Sequence, residues 1–419
     1  MAQTLTNFDA VLKEFYEGSI RETVNNEVVA FKMLDESDKE WSGRHVRFPV
    51  HTSRNSGVGA RAESGTLPTA GQQGYLEARV TSTYQYGRIE ISGPSMKAGK
   101  NAFAATVASE IDGMTRDLVN DLGRQTWGTG DGRLAQIGAA AASASSFTVF
   151  NRFFEPGQPG ARYINVGASV DIGTVASPTA LASSQVVASV SISSNPATTT
   201  DTVNITASTA NASQCESFVF NRGAGGAGVE MHGFRSLIDV FTEANIWGSN
   251  AFFGSAVQNI NRATNAAWNA TILGNSGVAR VIDGNLIQQA FDQINIDAGK
   301  DPDFLWGHHA VCRAFLDAVS ADRRYGSPEF KAGYSELSYN GVPLVRDRQA
   351  PHNELLIGVK GTVSMFTLAD FEWADEDGSI LARVSNQDQF EAFIRAYKNL
   401  GLNENPKGCV FIRDIRTDL

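Results

Sequence analysis

The sequence predicts an α+β protein made of unequal parts: an extended two-stranded loop, one very long helix, a small all-β module and a mixed α/β region. Three observations predict it. Over residues 101–126, Phe103, Val107, Ile111, Met114, Leu118 and Leu122 recur at spacings of 4, 4, 3, 4 and 4, which puts them on one helical face. Just before them, Leu76, Ala78 and Val80 alternate with Glu77, Arg79 and Thr81, the period of a half-buried strand. From 138 to 222 charges almost vanish, and Ala, Ser, Thr and Val recur in short runs parted by turn residues.

The elements follow in chain order. Residues 1–41 read as an arm: Phe8, Val11, Leu12, Phe15 and Tyr16 repeat at helical spacing, Val24, Val28, Val29 and Phe31 form a second short piece, and 35–40 is a solvated connector. So little apolar surface gives no core of its own, so the arm must lie against something else, another subunit being one candidate. Val46, Phe48 and Val50 mark an outgoing strand, and 74–92 the returning one. Between them, 52–73 contains Asn55-Ser56-Gly57, Gly59, Gly65, Pro68 and Gly71, and almost nothing to bury. A connection this long is either a disordered surface loop or an arm ordered by crossing a neighbour, with Arg54, Arg61 and Glu63 as its charged contacts. The helix over 101–126 would be roughly 39 Å long at 1.5 Å per residue, a strut. It closes at Trp127-Gly128-Thr129-Gly130-Asp131-Gly132, where glycines reach the left-handed conformations that end helices.

In the all-β module, strands are expected at 146–150, 162–166, 169–172, 186–192, 202–207 and 216–220. Residues 223–280 are irregular, anchored by Phe234, Leu237, Ile238, Phe241, Trp247, Phe252 and Phe253. Asp283 can cap a helix with Leu286, Ile287, Ala290, Phe291 and Ile294 inward, ended near Gly299. A second helix is expected over 307–321, strands at 342–345, 355–359, 364–368 and 380–384, a further element from Phe390, and a last strand at 410–415.

Composition excludes several functions. A net charge of -10 without a basic run argues against a dedicated nucleic-acid binder. Cys215, Cys312 and Cys409 are too few and too scattered for a disulfide framework or a metal site, which fits a reducing compartment. No signal peptide and no membrane-length apolar run is visible, so a soluble chain made in the cytoplasm is expected. The glycines at 128–132 close a helix, whereas a phosphate-binding loop opens one. His308 and His309 are adjacent rather than four apart, and 375–378 lacks most ligands of a calcium loop. Cys312, three or four positions beyond the two histidines, sits near the buried stripe with Val311 and Phe315. No catalytic set converges, and no enzyme activity, cofactor or metal is expected.

The order of parts resembles the Hong Kong 97-type major capsid proteins of tailed bacteriophages. The resemblance is carried by Trp127-Gly128-Thr129-Gly130-Asp131-Gly132-Arg133-Leu134-Ala135, by Tyr339-Asn340-Gly341-Val342-Pro343-Leu344-Val345-Arg346-Asp347 ahead of Leu355-Leu356-Ile357-Gly358, by Trp373 to Gly378, by Gln389-Phe390-Glu391-Ala392, and by Tyr397-Lys398-Asn399-Leu400-Gly401. It implies an N-terminal arm (1–41), an extended loop (42–92), a peripheral domain with a spine helix (93–137), an inserted β module (138–222), an axial domain (223–385) and C-terminal strands returning toward the peripheral domain (386–419). It further implies self-assembly into pentamers and hexamers of an icosahedral shell around double-stranded DNA. A separate scaffolding protein, a portal and decoration proteins are the expected partners, and no membrane is involved. Some members weld their shells through an extended-loop lysine. None lies between Lys39 and Lys97, so a non-covalent shell is expected here. An encapsulin-like nanocompartment shell remains open within the same architecture, and a β-rich adhesin or tail protein outside it.

Overall fold

The computed structural model describes residues 18–93, 100–137, 144–151, 159–174, 176–192, 201–209, 217–226, 228–238, 256–322, 338–375, 382–384 and 386–417. Two short helices, α1 (Gly18–Glu27) and α2 (Val29–Met33), lead the chain. Ile20, Val24, Val28 and Ala30 are buried, so from residue 18 onward the arm lies against its own chain. The expected connector is solvent-exposed yet pinned: Met365 accepts from the backbone of Ser37, and Lys39 Nζ sits 4.1 Å above the Phe48 ring. Phe8, Val11, Leu12, Phe15 and Tyr16 lie outside the described residues.

Strands β1 (Trp41–Ser42), β2 (His45–Ser53) and β3 (Gly74–Thr81) form a three-stranded antiparallel sheet in that order. At Ser82 the chain changes sheet and continues as β4 (Thr83–Ser92), a change that a single returning strand over 74–92 did not anticipate. The spine helix α3 (Lys100–Thr126) follows. Val107, Ile111, Leu118, Val119 and Leu122 are buried and Met114 is half-buried, each buried side chain contributing about 1.5–3 kcal/mol. Gly87 lets the helix approach, since a Cβ there would meet the Met114 sulfur at 2.8 Å. The Phe103 side chain lies outside the described residues.

Past the helix, β5 (Arg133–Ile137), β6 (Ala144–Asn151), β7 (Ser169–Gly173), β8 (Ala182–Ser191), β9 (Asp201–Thr209) and β10 (Phe218–Asn221) close into a barrel in the order β10-β5-β6-β9-β8-β7. Alternate residues fill it: Phe147 and Val149, Val170 and Ile172, Val203 and Ile205. Residues 162–166, expected as a strand, form a turn instead, with Ile164 donating to the Ala161 carbonyl.

The chain then runs through α4 (Phe234–Ile238), a small ribbon of β11 (Ala256–Val257) and β12 (Ile260–Asn261), and β13 (Thr271–Leu273). Phe241, Trp247, Phe252 and Phe253 lie outside the described residues. Helix α5 (Gly284–Ala298) begins as expected, with Asp283 accepting from Leu286 N–H at 2.8 Å, and ends at left-handed Gly299. Next come β14 (Phe304–Gly307), α6 (His309–Asp322), β15 (Ser338–Tyr339), β16 (Val342–Arg346) and β17 (Leu355–Gly358). The chain finishes with β18 (Val363–Trp373), β19 (Ala382–Arg383), β20 (Gln389–Leu402) and β21 (Cys409–Ile412).

Two sheets organise this part. One is mixed and six-stranded, ordered β13-β21-β17-β14-β16-β15, and its core is shared with α5 and α6. In the other, β20 runs between β4 on one side and β18 and β19 on the other. The last strands therefore part company: β20 joins the spine's sheet, while β21 returns to the six-stranded one.

Candidate assembly surfaces

The hairpin of β2 and β3 is anchored at its root and bare at its tip. Val46, Phe48, Ala78 and Val80 face the core, with Phe48 stacked 6.4 Å from Phe366. Beyond residue 50 burial fades, and Leu67 (83%), Val58 (66%) and Tyr75 (61%) are left largely open to solvent. Arg54 and Arg61 fold back on their own loop. Arg54 donates to the Val58 carbonyl at 3.4 Å, and Arg61 to the carbonyls of Thr66 and Ala60, each at 3.1 Å. Glu63 is exposed, and among the described residues none of these three forms an ion pair. Arg54, Arg61 and Glu63 are all exposed on this one loop, and so are the apolar Val58 and Leu67, which charge-based reasoning passed over.

A second surface also went unread. The outward face of β4 and β20 carries Tyr84 (47% exposed) against Tyr397, centroids 5.2 Å apart, and Tyr86 (57%) against Phe393, 6.5 Å apart. Strict alternation of Thr83, Gln85, Gly87, Ile89 and Ile91 inward could have flagged the outward tyrosines.

The third feature is internal. At the exit of α3, Trp127 is buried against Phe234, Trp306 and Phe411, and its indole N–H donates to Asp347 at 2.8 Å. Gly132 is obligatory, with φ of +80° and a carbonyl 2.1 Å from where a Cβ would stand. Asp121 takes two bonds from Arg124, at 2.9 and 2.7 Å, and one from Gln125 at 2.7 Å; Arg124 also bonds Glu230. Asp131 is clasped by Arg133 and by the Thr129 hydroxyl at 2.7 Å. Burial opposes ionisation of Asp131, but Arg133 outweighs it and holds the carboxyl below its ordinary range. Met231 N–H donates to Gln125 and His232 N–H to Asn399, whose amide in turn donates to the Thr81 carbonyl. One joint therefore connects spine helix, barrel entry, β20 and hairpin root. The barrel is tied down further by Tyr163 to Gln349 at 2.8 Å and Arg162 to the Arg348 carbonyl at 2.6 Å.

His308 and His309 do not pair with Cys312 in a reactive arrangement. His308 lies 4.3 Å from the His352 ring and accepts from Ala310 N–H at the start of α6, while Cys312 is buried, which raises its thiol pKa. Among the described residues no group of three or more metal-ligating side chains converges, and no helix is long and apolar enough to cross a membrane.

No protein-family model matches the chain, and no curated protein matches it in sequence. Solved structures do match it. The Cyanophage A-1(L) capsid asymmetric unit is 12% identical, with 91% of this chain and 90% of that chain covered at a TM-score of 0.52. The capsid of an empty GTA particle is 6% identical, with 93% and 90% covered at a TM-score of 0.50. Identities this low speak for the fold alone. The chain shares the fold of these two capsid chains.

Proposed function

We propose that this chain is a major capsid protein, a structural subunit that self-assembles into pentamers and hexamers of an icosahedral shell enclosing double-stranded DNA. The observation that carries the reading is the combination of a capsid fold over nearly the whole chain with a hairpin tip that leaves Leu67, Val58 and Tyr75 uncovered. Apolar side chains on a protruding ribbon gain by burial only against another molecule, and in a closed shell that molecule is a second copy. Arg54, Arg61 and Glu63 would supply the polar rim of that contact, and many modest contacts would add up through valency. The arm containing Phe8 and Phe15 would make a further contact.

On this reading 223–385 gathers around the five-fold and six-fold positions, the spine and hairpin link neighbours, and the barrel of 138–222 is an insertion. Assembly in the host cytoplasm, with a separate scaffolding protein, a portal and decoration proteins, completes the proposal. A net charge of -10 suits a shell that encloses DNA without gripping it.

Electron microscopy of the full chain, expressed alone and with its genomic neighbours, tests this. Closed isometric shells are expected. Small discrete oligomers under every condition would overturn it. With no lysine between Lys39 and Lys97, denatured particles should run as monomer, and a ladder of cross-linked bands would refute the non-covalent shell.

A further inference from the structure

We propose that the joint at the exit of the spine helix is a proton-operated latch: a proton on Glu230 holds the 228–232 segment down on the helix end, and its loss makes the segment open more readily. This concerns the isolated chain and stands whether or not the chain builds shells.

Arg124 is buried and its single positive charge is shared by two carboxylates, Asp121 and Glu230. Its Nε and one terminal nitrogen go to Asp121, its other terminal nitrogen donates to the Arg133 carbonyl at 3.3 Å, and Glu230 takes one bond, from the terminal nitrogen that also bonds Asp121. Asp121 is partly open to solvent and takes a further bond from Gln125, so it is the better-satisfied carboxylate. The neighbouring pair Asp131 and Arg133 is internally neutral. His232, two residues on, is half-buried; desolvation holds its imidazole below the ordinary range, and its Nδ1 lies 2.8 Å from the Ser236 hydroxyl, so it supplies no compensating charge.

The groups around Glu230 are therefore Asp121 and Arg124 from the spine helix, Asp131 and Arg133 from the turn and first barrel strand, and His232 on its own segment. With all carboxylates ionised they sum to one excess negative charge, and because Asp121 reaches solvent while Glu230 is buried, a proton on Glu230 is the simplest way to remove it. Burial, with Asp121 and Asp131 adding to it and Arg124 opposing, pushes the Glu230 carboxyl up to about 7 from an ordinary 4.5. A carboxyl raised in the folded joint contributes stability that is complete below about 4.5 and is lost as pH rises through about 7.

The geometry gives the latch something to move. The 228–232 segment is held to the helix end by Met231 on Gln125, and to the glycine turn by Gly228 N–H on the Gly130 carbonyl at 2.9 Å. On its far side His232 reaches Asn399 of β20. Lifting it would break its contacts with the helix end, the glycine turn and β20, and would leave the Arg124 bond to the Arg133 carbonyl as the remaining tie between spine and barrel entry.

Hydrogen–deuterium exchange on the unassembled full-length chain tests the latch, read at the amides of 228–232 between pH 6 and 8 after dividing out the intrinsic exchange rate. The opening equilibrium should rise about tenfold over that range in the wild-type chain, the ratio expected from a carboxyl moved between the two pKa values above. In Glu230→Gln, which keeps the shape and removes the titration, it should stay flat. If that variant does not fold, Asp121→Asn serves, because Glu230 then has Arg124 to itself and ionises below the window, again flattening the profile. A wild-type profile without slope, or a slope that persists in a folded variant, overturns the proposal.

Discussion

The barrel and the hairpin are both antiparallel β structure, yet they stand in opposite relation to solvent. The barrel pairs every strand on both sides and fills its interior with Phe147, Val149, Val170, Ile172, Val203 and Ile205, so it leaves no strand edge open. The hairpin pairs β2 on both sides only along its root, and its tip exposes Leu67 and Val58. A two-stranded ribbon without a packed face is marginal in water. The difference teaches where to look for intermolecular function: in the part that is incomplete alone. Damage to the barrel should then be felt in folding, and damage to the hairpin tip in assembly.

The sharpest way to break this division is to replace residues 54–73 with a two-residue Asn-Gly turn. Shells should disappear from electron micrographs while the unassembled chain keeps its melting temperature; shells that persist would remove the hairpin from the interface. Phe147→Ala, inside the barrel, should cost about 3–5 kcal/mol in denaturant unfolding, with assembly retained by the molecules that stay folded. A smaller effect is expected with pH. Burial, aided by His352, Arg162, His309 and Arg313, depresses His308 to about 3 from an ordinary 6.5. A depressed histidine contributes stability present above about 6.5 and lost as pH falls toward 3, so acid melting should begin in that window. His308→Asn retains an acceptor for Ala310 N–H and should flatten that acid limb in a pH series of thermal melts. Asp283→Ala, which removes the cap of α5, should cost about 1 kcal/mol in the same unfolding assay and leave shells intact. Least of all, Arg61→Ala or Glu63→Ala should change stability by no more than about 0.5 kcal/mol while lowering shell yield. Equal losses of both would place these residues in folding rather than in contact.

Much of the fold was legible because its elements announce themselves locally. The spine helix shows six apolar residues at helical spacing, and α5 shows its cap, its stripe and its terminating glycine. Two strands were invisible for the opposite reason. Every residue of Arg133–Ile137 and Phe304–Gly307 is buried, so neither alternates. The switch of sheet at Ser82 left no mark because it needs no turn residue; Ser82 N–H simply bonds the Arg44 carbonyl as the chain passes from one sheet to the next. On the candidate surfaces, Arg54, Arg61 and Glu63 stood out by charge, whereas the openness of Leu67 depends on what fails to pack over it. Arg124 and Glu230 are far apart in sequence, and no local pattern links them.

One feature of the barrel has an engineering consequence. Its first and last strands, β5 and β10, are hydrogen-bonded neighbours, with Ala135 opposite Val219 and Gln136 opposite Phe218. The chain leaves the body and re-enters it through one doorway a single strand-spacing wide. Anything whose two ends lie that close can be mounted there in place of the native strands, so the chain is a ready socket for grafted domains. Such a graft would give up the tethers that Tyr163 and Arg162 make to Gln349 and Arg348, and would stay anchored through the bond from Arg124 to the Arg133 carbonyl.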